Sequence, residues 1–419
     1  MRILVVGGGG REHALCWRLR RDRPAAQLFA APGNAGIEAL ADLVPLEADD
    51  LEGIATWCRE ARPDLVVIGP DEPLARGIVD ALTAQGTLVF GPTAAAARIE
   101  SSKAWAADVL AEADVPRPEA WVFDSPDAAD TFVRAHPGPL VVKADGLARG
   151  KGVIVCDTPA EAHYAIDEVG RRRAFGAAGD RVVLHERLNG PELSVFALCD
   201  GEVAHIIGTA RDHKRLGEGD RGPNTGGMGA YSPVAEADPA MLAGIESAIL
   251  APTLRELRRR GAPFTGFLYA GLMLTPDGPR VLEFNSRLGD PEAQVILPLL
   301  RFDLAAAMLA AAGGRLATFE TSKPQGAAVC VVLASGGYPG PHQSGMEIKG
   351  LGALEPDVLA IHAATTRVGD RLLTAGGRVL GITGLGATVT EARARAYAGI
   401  AMVRFDGAVW RRDIAADHA

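Results

Sequence analysis

The first hundred residues carry short, uninterrupted apolar runs at 3–6, 28–30, 65–68 and 88–90, separated by helical segments such as 13–20. Each run stops at a glycine- or proline-rich turn: 7–10, 32–36, 69–73 and 91–93. Apolar strands that do not alternate with polar residues, joined through helices, predict a buried parallel sheet. Ligands of such sheets bind beyond the carboxyl ends of the strands, where these four turns lie.

The pattern then changes. A helix is predicted over 101–113, capped by Ser101 or Ser102 and broken by Pro116 and Pro118. A small unit follows: strand 140–143, glycine-rich turn 145–152, strand 153–156, helix 159–169 and strand 181–185. Strands at 193–198 and 203–208 lead into a polar, glycine-rich loop over 211–231. After it come a helix at 240–260, strands 268–274 and 280–285, and a helix near 291–300. Strands 327–333 and 379–383 and helix 390–400 close the chain, with 411–419 expected as an unpacked tail. The length suits two to four domains. The divisions expected are 1–102, 103–325 (with a smaller unit at about 123–189) and 326–419.

Composition narrows the function. Lys and Arg total 43 against 52 Asp and Glu, a net charge of −9 without a basic block, so nucleic acid is not an expected partner. No apolar stretch approaches the roughly 20 residues of a membrane helix, and no secretory leader is visible. Cys16, Cys58, Cys156, Cys199 and Cys330 are widely spaced, which argues against disulfides or a zinc site. The cytoplasm is the expected compartment. The chain has only six lysines: Lys103, Lys143, Lys151, Lys214, Lys323 and Lys349. Where Arg serves as the general cation, a retained Lys marks a place for a compact ammonium, as phosphate contacts require.

Four motifs carry chemistry. In 141–153, Lys143 on a strand precedes a turn with Asp145, Gly146, Gly150, Lys151 and Gly152, a cradle of backbone N–H groups and ammoniums for phosphate. In 281–291, Glu283, Asn285 and Arg287 fall on one face of a strand. The first two are oxygen ligands spaced for Mg²⁺, and the third is a fork for carboxylate or phosphate. The loop 211–231 carries Asp212, His213 and Lys214, then Asn224, Thr225, Gly226 and Gly227. Finally, Gly9 and Gly10 precede Arg11 and Glu12. Glu12 stands where a dinucleotide fingerprint needs glycine, so this helix start, with Asn34 and Gly36, reads as a seat for one sugar phosphate.

With these strings the chain resembles the ATP-grasp superfamily and, within it, the phosphoribosylamine–glycine ligase family. The matching segments are 9–14, 31–36, 143–148, 150–153, 212–215, 222–232, 283–285 and 289–292, with 334–340 and 376–380 in the tail region. The resemblance implies a mixed α/β and α+β multidomain fold. It comprises an N-terminal Rossmann-like parallel sheet, an ATP-grasp core with a small lid, and a C-terminal mixed α/β domain. It implies ATP-dependent joining of glycine to phosphoribosylamine through an acyl phosphate, with Mg²⁺ or Mn²⁺, and a monomer or weak dimer. By position, Lys103, Lys143 and the 145–152 turn would hold ATP phosphates, and Glu186, Leu188 and Glu192 would face adenine and ribose. Glu283 and Asn285 would bind the metal. Asp212, Lys214, Arg287 and residues 224–227 would line the glycine pocket, with Lys143, Asp212 and Arg287 catalytic. Gly9, Gly10, Arg11, Glu12, Asn34 and Gly36 would hold the phosphoribosylamine. The alternatives are an ATP-grasp ligase for another acceptor, a nicotinamide oxidoreductase, and a nucleotide-binding regulator without turnover.

Overall fold

The computed structural model describes residues 1–148 and 151–418. Its first sheet is parallel throughout, with strands in the order Asp42–Leu43, Gln27–Pro32, Arg2–Gly7, Leu65–Ile68 and Val89–Phe90. Four of the five are the apolar runs. Asp42–Leu43 was hidden because it is two residues long and exposed at the sheet edge. The helix Gly10–Asp22 leaves the carboxyl end of the central strand.

A second, antiparallel sheet orders Ala120–Phe123, Val182–Glu186, Leu140–Ala144 and Val153–Cys156. Helices Pro126–Ala135 and Pro159–Ile166 contribute Ala129, Val133, Ala162 and Ala165 to its separate core with Val142 and Leu184. The other face of this sheet presents Lys143, Val153 and His185 to a cleft.

The third sheet is the largest. It runs Gly278–Asn285, Thr265–Thr275, Glu192–Asp200, Ala204–Asp212, Gly229–Ser232, Ala327–Ser335, Arg378–Gly386 and Val358–His362, with Ala408–Val409 beside Ala327–Ser335. Gly229–Ser232 hydrogen-bonds Ala327–Ser335. The sheet is therefore continuous across residue 325, and one apolar core spans Val195, Phe264, Val329 and Ile382.

Two local expectations are corrected, and one helix is added. The segment 211–231 is not an irregular loop throughout: Arg215–Gly217 and Arg221–Asn224 pair as a ribbon, and Gly229–Ser232 enters the large sheet. The helix expected over 101–113 is present as Lys103–Glu112 with Ser102 as its cap, the hydroxyl accepting from Trp105 N; a further helix, Ala94–Ser101, precedes it, and the two are separated at the extended residue Ser102. The tail is packed as far as residue 418. Arg411 is 2% exposed and pairs with Asp220 and Asp413, and Ile414 is fully buried. Buried positions within so short a segment have no periodicity to reveal them. Among the described residues no single helix is long and apolar enough to cross a membrane. All five cysteines are free and buried.

Candidate active site

The strand Gly278–Asn285 lies at one edge of the large sheet. Its register against Thr265–Thr275 slips: Glu283 faces Gly271 while Val281 faces Leu272, so Leu282 is an extra residue. Such bulges re-aim side chains and recur beside active sites. Here the extra residue offers its carbonyl to Lys143 Nζ at 2.9 Å, joining the two antiparallel sheets. The space between them is a cleft lined by Lys103, Lys143, Gly152, Glu283, Asn285 and Arg287 among others.

Charge is concentrated here. Burial lowers Lys143 to about 8, with Lys103 and Lys214 adding to the effect against the pull of Glu283. Burial alone would raise Glu283, but Lys214, Lys143 and Lys103 overcome it and hold the carboxylate below its ordinary range. Two residues on, Asn285 Nδ2 is buried with no hydrogen-bond partner. No group of three His, Cys, Asp or Glu side chains is placed to hold a cation among the described residues. The ionised Glu283 carboxylate and the Asn285 amide oxygen are ligands of the type taken by a cation that draws its other ligands from phosphate and water, while the unpartnered Nδ2–H donor suits an anionic oxygen beside it.

The phosphate-type turn is tied to the break between the two helices. Asp145 accepts from Ser102 Oγ at 3.0 Å and from Ala104 N at 3.1 Å, and pairs with Arg181. Lys103 Nζ donates to Gly146 O at 2.7 Å. A Cβ at Gly146 would stand 2.5 Å from Ala178, and one at Gly152 would stand 2.6 Å from Ala148. Packing of the turn against its own unit already requires these glycines. Lys151 reaches within 3.5 Å of Pro339 O. Gly150 lies outside the described residues.

The residues expected at a base and ribose run from the end of Val182–Glu186 to the start of Glu192–Asp200, next to His185, which lines the cleft. Glu186 accepts from Glu119 N and faces Arg280, and Glu192 pairs with Lys214 at 2.7 Å. Leu188 lies in the connection after Val182–Glu186. His185 and Arg117 line the cleft, each with a buried ring or guanidine nitrogen, Nε2 and Nε, that has no partner. Burial, then Lys143 and Arg117, keep His185 neutral.

Beyond Glu283 lies a buried acid pair. Burial and the neighbouring Glu292 push Asp212 well above the usual carboxylate range, partly offset by Lys214 and Arg378. One Asp212 oxygen, Oδ1, is buried without a partner. Gly227, at φ +109°, could not carry a side chain, because a Cβ would stand 2.4 Å from Pro291 and 2.7 Å from that same oxygen. Thr225 braces the loop, donating to Lys214 O at 2.9 Å and accepting from Gly227 N at 3.0 Å. Asn224 pairs with Arg215 in the ribbon. Burial lowers Lys214, but Glu192, Tyr269 and Glu283 reverse this and hold it firmly protonated.

Arg287 has a partner the motifs did not reveal. Glu100, from Ala94–Ser101, accepts from Arg287 Nη2 at 2.7 Å, Ser286 N at 2.8 Å and Ser286 Oγ at 2.7 Å. The available signal was positional: Glu100 falls on the stripe of Ala96, Ala97 and Ile99, where a charge needs a buried partner. Arg287 Nε remains buried and unpartnered, and Asp71 lies 3.7 Å from the same guanidinium.

At the N-terminal sheet the protein's own side chains occupy part of the anion seat expected. Glu12 accepts from Gly9 N at 2.7 Å and from Arg11 Nε at 2.7 Å, and Asp290 accepts from Arg11 N at 3.1 Å. Gly10 is roofed by Gln294 and Asp290. The protein's own carboxylates thus take two of the donors at this helix start, the N–H groups of Gly9 and Arg11. Asn34 is equally committed, donating to Gly8 O and His362 O and accepting from Gly36 N and Ile37 N. Gly36 has no room for a side chain beside His13 and His362.

Residues 1–100, 101–293 and 328–417 match the N, ATP-grasp (A) and C domains of phosphoribosylglycinamide synthetase. The chain belongs to this family. Its members are ATP-dependent ligases, and relatives extend over the full length. A phosphoribosylamine–glycine ligase of Streptomyces coelicolor is 47% identical, covering 100% of both chains. One from Rhodopirellula baltica is 44% identical, covering 98% of this chain and 96% of its own. The crystal structure of a phosphoribosylamine–glycine ligase from Thermotoga maritima superposes with a TM-score of 0.87 at 35% identity, covering 99% of this chain and all of that one. The biotin carboxylase domain of a Hydrogenobacter thermophilus 2-oxoglutarate carboxylase shares the fold, with a TM-score of 0.73 at 14% identity over 98% of this chain and 91% of that one. The N-terminal parallel sheet, the cleft between two antiparallel sheets and the C-terminal extension of the larger sheet are thus this ligase family's architecture.

Proposed function

We propose that the chain joins glycine to 5-phosphoribosylamine at the expense of ATP, by way of glycyl phosphate, giving glycinamide ribonucleotide, ADP and phosphate. A glycine carboxylate oxygen attacks the γ-phosphorus and the bond to the β-phosphate oxygen breaks. The amine of phosphoribosylamine then attacks the acyl carbon, phosphate leaves with that oxygen, and the amine gives up a proton. The observation that carries this reading is the convergence of Lys143, Glu283 and Asn285 in one cleft, with Arg287 alongside.

Phosphoryl transfer asks mainly for positioning and charge compensation. Lys103, Lys143 and Lys151 supply ammoniums to the triphosphate, with Asp145, Gly146 and Gly152 shaping the turn, and Gly150 is a further nucleotide-binding residue. Glu283 and Asn285 would hold Mg²⁺ or Mn²⁺, which supplies Lewis-acid polarisation of phosphate oxygens. Arg287, braced by Glu100, holds the glycine carboxylate with its free Nε–H. Asp212, whose free oxygen lies against Gly227, accepts a proton from an amine at the loop 224–227. Lys214, through Glu192, keeps that wall charged. The phosphoribosylamine lies beyond the strand ends at Gly9–Glu12, Asn34 and Gly36, with Arg11 facing its phosphate. His185, Glu186, Leu188 and Glu192 border the base and ribose. We further propose the division 1–102, 103–325 and 326–419, with 123–189 acting as lid.

The test is ADP release with ATP, Mg²⁺, glycine and phosphoribosylamine, each omitted in turn. Release is expected to need all four, and release that ignores glycine refutes the reading. Glu283→Gln is expected to cut turnover by at least about 10²-fold with an unchanged thermal midpoint, and near-normal activity would remove its metal role.

A further inference from the structure

The loop 224–228 is held at its tip by side chains from the C-terminal region. Gly226 N donates to Tyr338 Oη at 2.9 Å, and Gly226 O accepts from Arg378 Nη1 at 2.5 Å. One peptide group on each side of Gly226 is thereby fixed by a residue more than a hundred positions away in sequence. The same Arg378 nitrogen donates to Asp290 O at 2.5 Å and to Gly227 O at 3.4 Å, and it lies 3.3 Å from Asp290 Oδ1. Asp290 in turn accepts from Arg11 N and Gln294 Nε2. A single guanidinium thus joins the glycine-rich loop, the segment after the Glu283 strand and the start of the first helix.

The fit is close on every side. A Cβ at Gly226 would stand 3.0 Å from Arg378 Cζ, and one at Gly377 would stand 2.4 Å from the Tyr338 ring. Between Asn224 and Gly229 no strand ladder fixes the loop. Two adjacent glycines are costly to order, at roughly 1–2 kcal/mol of backbone entropy per residue. Without Arg378 and Tyr338 the Gly226–Gly227 stretch, which lies against the free Asp212 oxygen, would be held only at its two ends, by Thr225 on one side and by Met228 N donating to His213 O at 2.9 Å on the other.

We propose that Arg378 and Tyr338 are positioning residues: they hold the 224–228 loop in its substrate-ready shape, so that the C-terminal region sets the affinity for the amino acid. This rests on the functional reading above. It requires neither residue to touch the reacting atoms. The three backbone carbonyls reached by Arg378 all accept from one nitrogen, so an ammonium at that point would serve nearly as well. That predicts rescue by Lys, which a general packing role would not give.

Full-length Arg378→Met, Arg378→Lys and Tyr338→Phe would be compared with wild type for kcat, glycine KM, thermal midpoint and affinity for a non-hydrolysable ATP analogue with Mg²⁺. Arg378→Met is expected to raise glycine KM at least tenfold, with kcat lowered less than threefold and analogue affinity within twofold. Arg378→Lys should return glycine KM to within threefold of wild type, and Tyr338→Phe should raise it about threefold. An unchanged glycine KM in Arg378→Met overturns the proposal, as does an equal loss of analogue affinity with a lowered midpoint. If the Met variant does not fold, an unchanged glycine KM in Tyr338→Phe overturns it. Normal variants in a glycine-dependent wild type defeat this proposal alone, whereas wild-type ADP release indifferent to glycine defeats the functional reading and this proposal together.

Discussion

Lys143 is buried between two sheets with its ammonium on Leu282 O and Glu283 nearby, and its pKa is lowered to about 8. A polyanion binds the protonated form better, so the nucleotide complex takes up a proton wherever free Lys143 is partly neutral. Affinity should hold below pH 8 and fall above it, by up to about tenfold per unit until the raised pKa of the complex is reached. Calorimetric titration of the ATP analogue with Mg²⁺ from pH 6.5 to 9.5 would show this. The slope should flatten in Lys143→Arg, whose guanidinium does not titrate, and a flat wild-type profile would contradict the assignment. This residue was legible in the sequence because lysine is so scarce. Glu100 was not, since its role depends on Arg287 arriving from a distant strand. The commitment of Asn34 and Glu12 to internal hydrogen bonds was equally invisible, because a motif gives the residue type without the partner.

At the level of elements, the site depends on two irregularities: the bulge at Leu282 and the helix break at Ser102. Asp145 secures the second by accepting from Ser102 Oγ and Ala104 N while pairing with Arg181. Asp145→Ala removes a helix-end partner, a change that costs about 1 kcal/mol in comparable positions. It also frees the turn whose Gly146 carbonyl holds Lys103. The expected outcome is a lower thermal midpoint with ATP-analogue affinity weakened by about tenfold, both partly restored in Asp145→Asn. Unchanged nucleotide affinity would show that the turn keeps its shape without this staple. Apolar runs announced most strands in their correct places. The ribbon within 211–231 escaped notice because it is decided by backbone pairing, with no hydrophobic period to mark it.

Across the whole molecule, the C-terminal region is built into the large sheet and onto the loop 224–228, proposed above to bind the amino acid. Ala327–Ser335 extends the sheet from Gly229–Ser232, Arg411 anchors the last residues to Asp220, and Arg378 grips the loop tip. Sequence resemblance gave the order of these parts, but their sharing of one sheet rests on strand pairing between residues a hundred positions apart. On the function proposed above, this architecture serves a reaction in which ATP activates a carboxylate for an amine. The most direct test is turnover of glycine carrying ¹⁸O in both carboxyl oxygens, followed by mass spectrometry of the phosphate released. The account predicts one ¹⁸O atom in each phosphate, transferred from glycine as the acyl phosphate breaks. Unlabelled phosphate formed during glycine-dependent turnover would contradict it.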